Sequence, residues 1–262
     1  MRRPSSRASF ISPGQVNPHR GFNYLFGDVG QADPFAAQVI FLSHFDTSTQ
    51  NIALGINADS NLNVAVSLAQ QKFGVGSLLC TPVTAGDYLR YPVNSRYLDL
   101  NGPSFTIEGF VRPTSFGVQR QILHFWRDFA GGTVFVQISA AGVLSLTWQG
   151  TNLSTVAVLT LNDWNYFAFS KPVGVGSTAR SYLALGGAAT ATLRATTAMP
   201  SPDPMIAGTG LGLMNEMSLG VGTTRPMAGW IDDLRVTAST TAAANRYTAA
   251  SFPVPTEAFA YP

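Results

Sequence analysis

Apolar residues in this 262-residue chain recur at every second position, in runs too short for a helix and separated by turn formers. Phe105-Thr106-Ile107-Glu108, Val134-Phe135-Val136-Gln137-Ile138 and Val143-Leu144-Ser145-Leu146-Thr147-Trp148 each alternate in this way. Val39-Ile40-Phe41-Leu42 is an apolar run of strand length, closed by Asp46-Thr47-Ser48-Thr49. Similar segments follow at Trp164 to Ser170, Arg180 to Leu185, Met217 to Val221 and Trp230 to Val236. A two-residue period sends neighbouring side chains to opposite faces of a sheet, so each run offers one face to a core. Gly131-Gly132 and Ala141-Gly142 have the residue types of tight hairpin turns. No 3.6-residue period and no heptad is sustained, which excludes a coiled-coil stalk. The expected fold class is all-β, an antiparallel sandwich.

Composition agrees. The chain is 45% hydrophobic with 17 Phe, 8 Tyr and 4 Trp, enough for a packed core and too much for general disorder. Only 11% of residues are charged, so the polarity comes from Ser, Thr, Asn, Gln and Gly. No run approaches 18 uninterrupted apolar residues, and no membrane-spanning helix is expected. Cys80 is the single cysteine, which rules out an internal disulfide and a Cys-based zinc site. Within Ser77-Leu78-Leu79-Cys80 it is expected to be a buried, inert thiol. The basic start Met1-Arg2-Arg3-Pro4 is followed by no apolar segment, so no secretory signal is expected.

The formal charge of +2 is unevenly spread. Residues 1–27 carry Arg2, Arg3, Arg7 and Arg20 and no acid, leaving 12 basic and 14 acidic residues for the remainder. Pro4, Pro13, Pro18 and Pro34 bar a long helix or a central strand, and residues 1–37 are expected to form an extended arm. Its apolar residues, Phe10, Ile11, Phe22, Tyr24, Leu25 and Phe26, are anchors that a solvated linker lacks. Residues 38–250 form the β-domain. Residues 251–262, with Pro253, Pro255 and Pro262, read as a second segment outside the sheets.

Several stretches, in order, resemble the laminin-G-like, concanavalin A-like lectin and glucanase domains. Phe41-Leu42-Ser43-His44-Phe45-Asp46 is similar to their opening strand, and Lys72 to Leu78 and Asp87-Tyr88-Leu89 to the signatures that follow. Phe105 to Pro113 resembles the strand FTIE-x-[WF]-V-x-P, and Gly229 to Val236 the closing strand G-x-IDDLR-[IV]. Arg246 to Phe259 is similar to the ending RYT-x-x-F-x-P-P-T-x-P-F of bacteriophage members. The resemblance implies a jelly roll of two curved antiparallel sheets, a fold that hosts sugar binding, glycoside hydrolysis and structural roles. It implies a structural role for Glu108.

Chemistry has to be argued from the residues. Glycoside hydrolysis needs a pair of carboxylates, yet the three glutamates, Glu108, Glu216 and Glu257, have no acidic neighbour at i+2 or i+4. No catalytic residue is assigned. Asp232 shares the strand phase of Leu234 and Val236, which predicts a buried carboxylate; Asp46 could approach it in this fold. Such a carboxylate is satisfied either by loop amides, the expected arrangement, or by a structural Ca²⁺ held by Asp46, Asp232 and backbone carbonyls. No metal site is otherwise indicated, since His19, His44 and His124 lack ligand spacing. Trp148 and Trp230 have core phase and Trp164 resembles an internal family position, leaving Trp126 as the candidate exposed aromatic for stacking on a sugar.

The expected function is a non-enzymatic structural component of a bacteriophage particle, a capsid decoration or tail-associated protein located in the virion. Its arm would anchor it to other virion proteins, with no nucleic acid partner, through Arg2, Arg3, Arg7, Phe10, Phe22, Tyr24 and Phe26; homo-oligomers fit the same picture. The alternative is a carbohydrate-binding receptor-recognition module of the tail-fibre or adhesin type, directed at host surface glycans.

Overall fold

The computed structural model describes residues 33–84, 86–101, 104–126, 134–148, 150–172, 177–199, 209–218, 221–222, 225–240 and 244–260. In chain order the strands are β1 (Val39–Ser43), β2 (Ser60–Leu62), β3 (Val64–Ser67), β4 (Ser77–Cys80), β5 (Tyr88–Tyr91) and β6 (Ser104–Pro113). Next come β7 (Arg120–Trp126), β8 (Val134–Ile138), β9 (Val143–Trp148), β10 (Thr151–Val158), β11 (Asn165–Lys171) and β12 (Thr178–Ala184). The last are β13 (Thr190–Ala198), β14 (Gly210–Leu213), β15 (Met217–Ser218), β16 (Val221–Gly222), β17 (Gly229–Ser239) and β18 (Ser251–Pro253). One sheet runs β18-β13-β12-β11-β6-β17-β4-β3, and β1 also pairs with β17. The other runs β10-β9-β8-β7-β14-β5-β2. Together they form the antiparallel sandwich that the alternation predicts, in the jelly-roll form that the resemblance implies.

Alternate residues of the two sheets meet in the main core. Phe105, Ile107 and Val111 of β6 and Phe167 and Phe169 of β11 face Leu123, Phe125, Val136, Leu146, Leu211 and Leu213. Each such side chain contributes roughly 1.5–3 kcal/mol by leaving water. Phe105 and Trp148 stack with centroids 4.7 Å apart and planes 5° from parallel. Cys80 lies in this core, and burial pushes its thiol up to about 12, so it stays protonated. The Ala141-Gly142 turn joins β8 to β9, with Gly142 at φ 81.

The larger sheet is covered on its other face too. Leu42, Phe110, Tyr166, Ala168 and Tyr182 pack there under Phe252, Val254 and Phe259 of the C-terminal segment. Tyr247 and Phe252 stack at 3.7 Å and 3°. This corrects the reading of residues 251–262 as lying outside the sheets: Ser251–Pro253 is β18, paired with Thr190 to Thr192. Proline is excluded only from central strands, and β18 is an edge strand.

Beneath this layer Glu108 is fully buried. Arg235 donates to its Oε1 from Nε at 2.9 Å and Nη2 at 2.8 Å, while Tyr166 and Tyr247 donate to Oε2 at 2.7 and 2.6 Å. Arg246 lies 3.5 Å from Oε1 and makes a bidentate pair with Asp33, at 2.9 and 2.7 Å. Burial alone would raise the Glu108 pKa; the charges of Arg235 and Arg246, with the two tyrosine hydroxyls, hold it below the ordinary carboxylate range. Asp33 and Phe35, which Arg246 overlies at 4.8 Å, therefore belong to the folded domain rather than to an arm ending at residue 37. The structural role implied for Glu108 is this clasp.

A bulge in β17 between Asp232 and Arg235, with Asp233 at φ 49, changes the strand phase. Ile231 enters the main core, and Trp230 and Asp232 turn to the opposite face, contrary to the expectation that they share the phase of Leu234 and Val236. Asp232 is 1% exposed and its Oδ2 accepts from the amides of Lys72 and Phe73 at 2.7 and 3.1 Å. Asp46 Oδ1 accepts from the Val75 amide at 2.7 Å. Gly74, at φ +59, makes this possible, since a Cβ there would lie 1.8 Å from Asp46 Oδ1. Asp233 binds the His44 ring and accepts from the Phe259 amide at 2.7 Å. Burial pushes Asp232 up to about 7. Burial would lower His44, but the hydrogen bond and charge of Asp233, with Asp46 and Asp232, raise it.

Two predictions follow from these buried groups. Glu108→Gln leaves two buried guanidiniums short of a counter-charge and should cost about 3 kcal/mol, read as a lower urea midpoint at unchanged slope. Asp232 and His44 both bind protons more tightly when folded, so their stabilisation fades as pH rises, from above about 4 to about 7 for Asp232 and above about 6.5 for His44. The melting temperature should fall between pH 5 and 8, and Asp232→Asn should flatten that slope; a wild-type curve rising over this interval would contradict the assignment.

Candidate functional site

The outward face of the seven-stranded sheet is set by strand register. Ser60 of β2 lies beside Arg90 of β5, Arg90 beside Gly212 of β14, and Gly212 beside His124 of β7. The row continues through Phe135 of β8 and Thr147 of β9 to Asn152 of β10. At about 4.8 Å per strand this spans about 29 Å. A second row joins Gln121, Gln137, Ser145 and Ser154. Inward leucines and outward polar residues arise from the same alternation, so the main core and this face are one pattern seen from two sides.

β14 shapes the face. Its Gly210-Leu211-Gly212-Leu213 sends both leucines into the core and leaves its outer side without side chains. The Trp126 indole occupies that space: a Cβ at Gly210 would sit 2.6 Å from Trp126 Cζ2. Trp126 is therefore only 5% exposed, which corrects its expected role as an exposed stacking platform. Phe135, half-buried and edge-on to His124 at 5.7 Å, and half-buried Tyr88 are the accessible rings.

The centre of the face is rich in buried polar atoms. Gln119 donates to Gln137, but among the described residues neither the oxygen nor the nitrogen of the Gln121 amide, nor Trp126 Nε1, has a hydrogen-bond partner. Leaving such a group unpaired costs about 1–3 kcal/mol. Burial, with the nearby charge of Arg225, pushes His124 down to about 4, so the ring is neutral at pH 7. Arg90 is paired with Asp59 at 2.8 and 3.2 Å, and Arg225 with Glu216 at 3.3 Å. The acids here are thus matched by guanidiniums, and Glu108 is committed on the other sheet.

Of the residues singled out in the sequence, Trp126 lies on this face, whereas Asp46 and Asp232 lie by the 72–75 loop of the larger sheet. Among the described residues, no three His, Cys, Asp or Glu side chains are disposed to hold a metal ion, and no helix is long and apolar enough to cross a membrane. The candidate arm anchors Arg2, Arg3, Arg7, Phe10, Phe22, Tyr24 and Phe26 lie outside the described residues. Gln121, His124, Phe135, Gly210 and Gly212 escape the sequence reading; the alternation of glycine with leucine at 210–213 is the signal that could have exposed them.

The sequence matches no protein-family model and no curated protein. In structure the chain is similar to domain 4 of AbnA, a GH43 extracellular arabinanase from Geobacillus stearothermophilus, solved with arabinotriose. The TM-score is 0.53 at 14% identity, over 77% of this chain and 93% of that one. It is also similar to the binding domain of Paraclostridial Mosquitocidal Protein 1, with TM-score 0.54 and 10% identity over 81% and 51%. A third is botulinum neurotoxin type C, whose cell entry depends on interaction with two ganglioside molecules, with TM-score 0.54 and 13% identity over 78% and 49%. The chain spans about half the length of the two toxin chains. These likenesses bear out the jelly-roll fold that the motif resemblance implied.

Proposed function

We propose that the chain is a non-enzymatic carbohydrate-binding module that takes a neutral oligosaccharide on the outward face of its seven-stranded sheet. The observation that carries this reading is the unpartnered amide of Gln121 and indole N–H of Trp126, beside accessible Phe135, on a face whose charges are already paired. A sugar hydroxyl donates and accepts at once, so hydroxyls suit both ends of an amide and an indole N–H. Side-chain rotation of the kind common on binding would bring these atoms to the ligand. The arabinotriose complex of the AbnA domain and the ganglioside dependence of the neurotoxin lend support by fold analogy. The carboxylates near the face are held in ion pairs, which favours binding over hydrolysis.

The virion-structural reading has less behind it. Residues 1–32 of its arm lie outside the described residues, and the phage-like ending Arg246 to Phe259 has a use within the domain, closing the second core and the Glu108 clasp. Gln121→Leu tests the favoured reading, because it removes unpaired polar atoms from a buried position. It should raise the melting temperature and weaken binding of neutral oligosaccharides, arabinotriose among them, at least tenfold by calorimetry. Unchanged affinity, or no binding of any neutral oligosaccharide by the wild type, would refute it.

A further inference from the structure

The larger sheet has an outward region where rings and cations lie side by side. In register there, Leu79 of β4 lies beside Trp230 of β17 and Trp230 beside Arg112 of β6. Trp164 comes next, one residue before Asn165, which pairs with Val111. All four side chains are half-buried. The Arg112 guanidinium rests 5.3 Å from the Trp230 ring. Two residues back along β6, Phe110 carries Lys72 Nζ at 5.3 Å, and Lys72 is also 5.5 Å from Phe73.

These cations differ from the buried ones of the clasp. Arg235 and Arg246 are engaged by Glu108 and Asp33, whereas among the described residues neither Lys72 nor Arg112 makes a side-chain hydrogen bond or ion pair. Both are partly desolvated by the ring beneath them, yet keep their N–H donors. Trp230 Nε1 is likewise buried without a partner. Asp232, opposite Phe110 in register, does not serve them: it is 1% exposed and is held under the Lys72 and Phe73 amides.

We propose that this patch is a second binding site, separate from the neutral face, and that it takes a saccharide bearing a carboxylate. Arg112 would donate two parallel N–H bonds to the carboxylate, the geometry a guanidinium supplies and an ammonium does not. Lys72 adds the second positive charge one ring away along β6. Trp230 and Trp164 flank Arg112, and their flat faces suit the apolar face of a pyranose ring. The row crosses four strands, about 14 Å, which is the length of a disaccharide or trisaccharide. An acidic peptide would find the charge but would leave the two indoles without a flat ring to cover.

The test is calorimetry of the full chain with 3′-sialyllactose, an oligogalacturonate, lactose and a poly-glutamate peptide. At least one acidic saccharide should bind, more weakly as salt rises, with lactose at least tenfold weaker at this site. Arg112→Gln should weaken that binding tenfold or more, and Trp230→Phe, which keeps a ring but removes the N–H, should weaken it less. Both positions are half-exposed, so the melting temperature should stay close to wild type. Gln121→Leu should leave acidic-saccharide binding unchanged, which separates this site from the other face. Acidic-saccharide binding that survives Arg112→Gln, lactose binding to the Gln121→Leu variant as tight as that of the acidic saccharides, binding of the peptide in preference to the saccharides, or no acidic-saccharide binding at millimolar concentration would each overturn the proposal.

Discussion

Glu108 is a charge in a place where charge is expensive, and the fold is arranged around meeting that expense. Moving a lone carboxylate into a protein interior costs several kcal/mol even after relaxation. Here it meets Arg235, Arg246, Tyr166 and Tyr247, and Asp33 balances the second guanidinium, so two acids and two bases close to zero net charge. These groups come from β6, β11, β17, the chain before β1 and the segment after β17. None of those segments can leave without stranding a buried ion. Replacing such a cluster with apolar side chains is often neutral or stabilising, so its value lies in specificity. It fixes where both ends of the domain attach.

That attachment decides which surfaces remain for ligands. Much of β6 and β11 is buried on both faces because the C-terminal segment lies across the larger sheet and is locked by Phe252, Phe259 and the Phe259 amide on Asp233. What the segment does not cover is the outward face of the smaller sheet, with its buried polar centre, and the end of the larger sheet where half-buried Trp230 and Arg112 stand. The two differ in electrostatics. On the first, guanidiniums are neutralised by Asp59 and Glu216 and the histidine is uncharged; on the second, two cations rest on rings and make no ion pair among the described residues. One sandwich thus presents a neutral polar surface and a cationic aromatic one, back to back.

Much of the sandwich was legible because alternation is a local property. Leu144, Leu146 and Trp148 point inward as their spacing requires, and Cys80 is a core thiol as its apolar neighbours indicated. The failures come from events that spacing does not record. A single bulge residue, Asp233, reverses the phase of everything before it in β17, so Trp230 and Asp232 swap faces. Trp126 looked exposed because its own strand offered no reason to cover it; the reason is Gly210, eighty-four residues away in sequence and adjacent in the sheet. Prolines in the last twelve residues argued against sheet structure, yet an edge strand with few hydrogen bonds to make tolerates them.

The unpaired atoms on the smaller sheet acquire meaning from the same contrast. Some buried polar networks in this chain are complete: Glu108 takes bonds to both oxygens, and Asn165 bonds to Val111, Thr160 and Asp163, whereas Trp148 Nε1 in the core and Asp232 Oδ1 have no partner among the described residues. What sets the smaller sheet's face apart is that both ends of Gln121 and the Trp126 N–H are idle close together, which forgoes stability there. Apolar residues of similar shape would remove that cost at once. Polar groups kept at a cost in the folded state are understandable when a ligand completes them, and hydroxyl-rich ligands complete donors and acceptors together.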